Sequence, residues 1–285
     1  MSADRRPGPG SGGGHDAVDV LRRLRVRWAA RGVELVREDP TDRSGAGWVA
    51  VADLADPDRA RAAAADYGAA HGIADPKAAA SLLGKRLGSV LAFPATVAWM
   101  AERHVPDLSP DRTWLRFVDG TPTTFAVAEP RGWASPERAG AGVEAVDDPA
   151  RLRARLLDVD YDAAVGPLLD ALATAVRMGR RHLWGNLALV AVNSAIWVPE
   201  APDPWGDADA LLAERPDLAR TLDVRDAHDD RVGPFRVALR RTCCMAYADP
   251  DHGYCASCSL VDHDERLARL PGQLADAIAA APRVG

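Results

Sequence analysis

All four cysteines of this 285-residue chain, Cys243, Cys244, Cys255 and Cys258, fall within 16 residues, and the 242 residues before them contain none. Cross-links that staple a fold are spread over it, so this clustering reads as a ligand set that organises one short segment. The rest of the chain must fold on an apolar core of its own. Material for one is present, because 47% of the residues are hydrophobic and 27% charged, the proportions of an ordinary globular domain. With 41 acidic against 35 basic residues the net charge is −6, which offers phosphate backbones no overall attraction and excludes nucleic acid as an expected partner.

The chain opens Met-Ser-Ala-Asp-Arg-Arg and runs through Pro, Gly and Ser to Gly14, with none of the apolar core of a secretion signal. The sequence therefore predicts a disordered tail over 1–16 and a cytoplasmic protein. The longest apolar run, Leu183 to Val198, contains Gly185, Asn186, Asn193 and Ser194. It is shorter than the roughly 20 residues of a bilayer span, so it predicts a buried helix and a chain that does not cross a membrane.

Leu21, Leu24 and Trp28 recur at helical spacing among arginines and predict a first amphipathic helix whose arginines form a solvated face. Trp48 to Leu54 is rich in strand formers. Asp56-Pro57 and Asp75-Pro76 each pair a capping carboxylate with a first-turn proline, and so predict helix starts. The second of these helices presents Leu83, Leu87, Val90 and Leu91 on one face and turns Lys85 and Arg86 towards water, with a kink or break expected at Pro94. Trp114 to Val118 and Thr123 to Val127 flank Asp119-Gly120 and predict a β-hairpin.

Residues 129–149 read as a long loop, followed by helices over Pro149–Leu157, Tyr161–Val176 and roughly Met178–Trp197. From Pro199 to Pro234 the chain is acidic and proline-punctuated, with short helices near 209–213 and 217–222, and Pro271 is expected to split the C-terminal stretch into two short helices. The whole predicts an α+β fold: a helix-rich body with a small antiparallel β element and a C-terminal metal-binding segment.

Thiolates are soft ligands, and four of them suit either one tetrahedral zinc or a two-iron cluster with two ligands per iron. Ligand count leaves both open. Adjacent Cys243-Cys244 cannot form the Cys-x₂₋₄-Cys loop that wraps zinc, so only Cys255 to Cys258 looks like a zinc knuckle, and the spacing favours the cluster. Disulfides are the least expected use in a reducing cytoplasm.

The segment Cys243-Cys244, ten residues, Cys255-Ala256-Ser257-Cys258 resembles that of the FhuF-like ferric-siderophore reductases, a family with this spacing near its C-terminus. Leu239-Arg240-Arg241-Thr242 before the double cysteine and Trp184-Gly185-Asn186 on an upstream helix are similar to that family as well. The resemblance implies a 2Fe–2S cluster held by Cys243, Cys244, Cys255 and Cys258 as metal ligands. It also implies a body over 17–238 followed by a cluster-binding segment over 239–285. The implied reaction is one-electron reduction of a siderophore-bound ferric ion, with release of ferrous iron. Implied partners are a ferric siderophore, of the hydroxamate type, and an electron donor such as a ferredoxin or a flavin reductase.

Within the chain, no G-x-G-x-x-G follows a predicted strand, so no flavin or nicotinamide site is expected. His182, Asn186 and Asn193 share one stripe of the apolar helix and are candidates for a polar wall facing the siderophore, against the alternative of hydrogen bonding inside the core. Arg240 and Arg241 either act on the cluster or are solvated, and His252 is expected to be a loop histidine in water. Two rival functions share these residues: electron transfer to another acceptor, and a siderophore-binding or scaffold protein with a structural four-cysteine zinc site.

Overall fold

The computed structural model describes residues 20–24, 34–36, 47–129, 131–255 and 257–280. The expected tail over 1–16 and Trp28 lie outside them. A first helix, α1, described over 20–24, buries Val20, Leu21 and Leu24 as its spacing predicts. Strands β1 (Glu34–Val36) and β2 (Trp48–Ala50) precede a 3₁₀ turn over Val51–Ala55, so the expected strand at 48–54 is half as long as its composition suggested. Helices α2 (Pro57–Ala70), α3 (Pro76–Val90) and α4 (Ala92–Glu102) follow.

Asp56 and Asp75 cap α2 and α3 as expected, and the same Asp-Pro device opens α5 (Pro149–Arg155) at Asp148 and α8 (Pro204–Glu214) at Asp203. In each case the carboxylate accepts a backbone N–H two or three residues on, which satisfies a donor that the first helical turn leaves free. The expected break near Pro94 falls at Leu91, which puts the proline in the first turn of α4, where no N–H is needed.

The hairpin joins β4 (Thr113–Val118) to β5 (Thr121–Val127), and Asp119 and Gly120 both take left-handed φ, 47° and 70°, the conformation of a tight hairpin turn. A four-stranded sheet of order β1-β5-β4-β2 results, with β1 parallel to β5 and the other pairs antiparallel. The stretch 129–149, expected as loop, contains β6 (Gly132–Ala134) and β7 (Val143–Ala145), which join β3 (His104–Pro106) in a second sheet. Three residues are too few to display an alternating pattern, so these strands exist only through their pairing.

Two helices expected as separate are one rod. α5 passes through a π-helical stretch, Leu156–Val165, into α6 (Gly166–Ala175). The stretch buries Asp160 and Tyr161 completely. Helix α7 (Arg180–Ile196), the expected apolar helix, packs against α3, α4 and α8. After α9 (Pro216–Ala219), the segment expected as acidic loop holds β8 (Leu222–Asp229), antiparallel to β9 (Gly233–Arg240).

The C-terminal stretch is a single helix, α10 (His263–Ala280), with Pro271 inside it. Proline removes one helical hydrogen bond, but Leu270, Ala275 and Ile278 pack on Phe235, Val237 and Leu239 in a small second core, and that burial keeps the two halves in one helix. The main core lies among α2, α3, α4, α6 and α7. The chain thus has the expected α+β architecture with small sheets, and no described helix is long and apolar enough to cross a membrane.

Candidate metal centre

Strand β9 carries the chain along α7 and releases it at Arg240, next to the buried middle of that helix. Gly185 is what permits the approach: a β-carbon there would collide with the Thr242 hydroxyl. Thr221 fixes the same crossing, its carbonyl accepting from Arg241 N at 2.8 Å. Met245 then adopts φ 61°, a left-handed conformation that a non-glycine residue takes only when its surroundings impose it, and its N–H donates to Cys243 Sγ at 3.3 Å.

Below the loop lies a buried polar chain. Ser81 on α3 donates to the Cys244 carbonyl at 3.0 Å, Asn186 on α7 donates to the Ser81 carbonyl at 3.1 Å, and Arg240 Nη1 donates to Asn186 Oδ1. Each link joins a different element, so helix α3, helix α7, strand β9 and Cys244 are locked in one register. Trp184 anchors the same turn of α7, with Nε1 donating to Asp170 at 3.0 Å and the guanidinium groups of Arg180 and Arg215 each within 5.3 Å of its ring centroid. The motif Trp184-Gly185-Asn186 is therefore the seat of the cysteine segment.

Cys244 and Cys258 are buried, and Cys243 and Cys255 are half-buried. Cys244 Sγ and Cys255 Sγ stand 3.6 Å apart. Two thiolates on one tetrahedral metal at about 2.3 Å would lie about 3.8 Å apart, so this pair already has the spacing of shared ligands. The contact with Cys255, helped by the charges of Arg240 and Lys85, holds the Cys244 thiol below the usual thiol range against the effect of burial. Cys255 is raised by that contact and by burial, and Cys243 is raised chiefly by burial. Among the described residues no three His, Cys, Asp or Glu gather about one point as a single ion requires. One close pair with two further cysteines in the same segment, beside buried Arg240, supplies the four soft donors that an iron–sulfur centre takes.

The loop between the cysteine pairs is shaped by its own polar groups. Asp249 is buried, accepts from Asp251 N at 2.9 Å, and faces His252 Nδ1 at 3.2 Å, while the His252 side chain is 67% exposed. Tyr247 and Tyr254 stand exposed beside the cysteines with ring centroids 5.9 Å apart. Two cavities flank the segment. The larger, about 290 Å³, is bordered by Tyr67, Lys85, Arg86, Asp249 and His252, and the smaller, about 190 Å³, by Lys85, Asn193, Arg240, Cys255 and Leu270.

The three polar residues of the α7 stripe thus separate. Asn186 is 3% exposed and its polar atoms are engaged beneath the cysteines. Asn193 is half-buried and borders the smaller cavity with Cys255. His182 is exposed in the first turn, eleven residues from Asn193 and so about 16 Å along the axis. Arg240 is buried whereas Arg241 is exposed, and Lys85 and Arg86, expected in water, are half-buried, with Arg86 Nε donating to the Pro122 carbonyl at 2.8 Å. Ser81 gave no signal beyond being a polar residue on an apolar helix face.

Residues 240–260, which include all four cysteines, match the family described as FhuF 2Fe-2S C-terminal domain, and the cofactor of this segment is a 2Fe–2S cluster. No curated protein matches the chain. Among solved structures it is similar to aerobactin synthetase IucA from a hypervirulent pathotype of Klebsiella pneumoniae, at 12% identity and TM-score 0.51 over 78% of this chain and 48% of that one. The ATP-bound form of IucA matches at 12% identity and TM-score 0.50 with the same coverage. The chain spans about half the length of these synthetases, and the likeness is one of fold.

Proposed function

We propose that the protein is a ferric-siderophore reductase, in which Cys243, Cys244, Cys255 and Cys258 hold the 2Fe–2S cluster and an electron passes to a siderophore-bound ferric ion. One observation carries this reading: a 2Fe–2S segment is seated on a body similar in fold to about half of a siderophore synthetase. A redox cofactor in a synthetase-like body points to chemistry on the iron and not on the organic ligand.

When bound, the cluster supplies electrons one at a time. The protein's own residues then have three tasks. The register chain Ser81–Asn186–Arg240 fixes where the cysteines stand. Half-buried Cys243 and Cys255 bring the centre close to the surface, so that donor and acceptor can approach without entering the core. Lys85, shared by both cavities, and Asn193 would contact the substrate; at about 190 Å³ the smaller cavity takes an arm of a siderophore while the iron complex stays at the mouth.

The chemistry balances with a single electron. Ferric iron is held by hard oxygen donors, ferrous iron binds them more weakly, and reduction is therefore the release step. Each 59 mV by which the donor falls short costs about tenfold in equilibrium, which capture of the ferrous product offsets. A ferric hydroxamate is the proposed substrate, and a ferredoxin or a flavin reductase the proposed source of electrons, in the cytoplasm. The segment 239–285 acts in this reading as the cluster-bearing part of a body over 17–238.

The test is an ultraviolet–visible spectrum of anaerobically purified protein, with iron, zinc and acid-labile sulfide counted on the same sample. Iron and sulfide in equal amounts, with a visible spectrum that bleaches on reduction, are expected. A colourless protein with zinc and no sulfide, even after reconstitution, would leave a zinc-stabilised binding module instead.

A further inference from the structure

Two linked arginines, Arg240 at the mouth of the cysteine segment and Arg266 behind it, are buried with no carboxylate among the described residues to answer their charge. Arg240 is 3% exposed and Arg266, on α10, is 8% exposed. Arg240 donates through Nη1 to Asn186, a neutral amide, and Arg266 donates through Nη1 to the Arg240 carbonyl at 3.2 Å. The Nε of each is buried without a partner, and among the described residues no carboxylate pairs with either. A guanidinium cannot shed its proton to escape burial, so a buried one left without an anion is strongly unfavourable unless a ligand supplies the charge.

The surroundings identify that ligand. Arg240 borders the cavity that Cys255 also borders, and its charge bears on Cys243, Cys244 and Cys255 together. Arg266 is tied to Arg240 by the hydrogen bond to its carbonyl. A two-iron centre with four thiolates is a dianion when oxidised and gains one more negative charge with each electron accepted. Fixed cations beside it stabilise the reduced form more than the oxidised one.

We propose that Arg240 and Arg266 are built-in counter-ions of the iron–sulfur centre and hold its reduction potential above the value that the four thiolates alone would give. Asn186 is the positioning residue, since it aims the Arg240 guanidinium while sharing none of its charge. The inference rests on the cluster reading but is independent of the siderophore.

The experiment is an anaerobic redox titration of the holoprotein with mediators, followed by visible absorbance, for the wild type, Arg240→Gln, Arg240→Lys and Arg266→Gln. Iron and sulfide are counted on each. Loss of charge at Arg240 is expected to lower the equilibrium constant for reduction about tenfold, a fall of about 59 mV, while Arg240→Lys stays within about threefold of wild type. Arg266→Gln shifts in the same direction as Arg240→Gln. A fully loaded Arg240→Gln protein that titrates with the wild type would overturn the proposal. Should that variant fail to fold or load, Arg266→Gln decides, and an unshifted potential there counts against the counter-ion role. A wild-type protein without a two-iron centre defeats the cluster reading itself, an outcome distinct from loaded variants that do not shift.

Discussion

Asn186 spans the space between two backbones and one charge: its amide nitrogen reaches the Ser81 carbonyl and its oxygen receives Arg240. Hydrogen bonds to charged groups contribute about 1.5–3 kcal/mol each, and a buried partner left behind raises the cost, so Asn186→Ala should lower the stability of the protein by about 2–3 kcal/mol. Thermal unfolding of variant and wild type checks this, and equal midpoints would show that Arg240 finds another partner. Asp160 is a second buried case with a different outcome. Burial holds its carboxyl well above the usual carboxylate range, with Asp107 adding to the shift and only the Leu108 N–H, at 3.3 Å, opposing it. The folded chain therefore keeps a proton that the unfolded chain releases above about pH 4, so this residue's contribution is whole below that pH and is lost as pH rises. Asp160→Asn should gain on the wild type in melting temperature from about pH 4 to pH 8, and parallel pH curves would contradict the assignment. At this scale the cysteines were legible because their spacing is itself the signal. The role of Asn186 was not: one polar residue on an apolar helix reads alike whether it faces a ligand or a neighbouring strand, and only the position of Arg240 decides. Ser81 was hidden for the same reason, since its partners, Asn186 and the Cys244 carbonyl, lie on distant parts of the chain.

Between elements, the decisive contact is the crossing of β9 over α7. Gly185 leaves room for Thr242, and Gly185→Ala should force the strand end outward at a cost of about 1–3 kcal/mol. Displacing Thr242 displaces Cys243, so the variant should also hold less iron and sulfide after reconstitution; a fully loaded Gly185→Ala protein would mean that the seat is more yielding than the packing suggests. The helix starts were legible from their Asp-Pro pairs, and the β4–β5 hairpin from Asp119-Gly120, because caps and tight turns are written in adjacent residues. The β8–β9 hairpin that delivers the cysteines escaped, although Phe235, Val237 and Leu239 alternate, because the acidic, proline-rich approach to it has the composition of a loop. Pro271 misled in the other direction. Its local preference for ending a helix is overruled by the apolar stripe that α10 lays on β9, a contact made by residues far apart in sequence.

Over the whole molecule, the main core and the smaller core under α10 meet where β9 runs between α7 and α10, and the cysteine segment begins at that strand's end. The helical body accordingly forms the seat, and the loop that follows β9 exposes Tyr247, Tyr254, Leu260 and His252. A partner that reaches the centre meets this loop first, while the Ser81–Asn186–Arg240 chain behind it stays dry. The central claim is that electrons held here reach a ferric siderophore. The most direct test mixes anaerobically reduced protein with a ferric hydroxamate and a ferrous-iron trap, and follows the visible spectrum in time. The account predicts reoxidation of the centre with one ferrous ion trapped for each electron lost. A reduced protein that binds the ferric hydroxamate yet stays reduced, with no ferrous iron released, would contradict it.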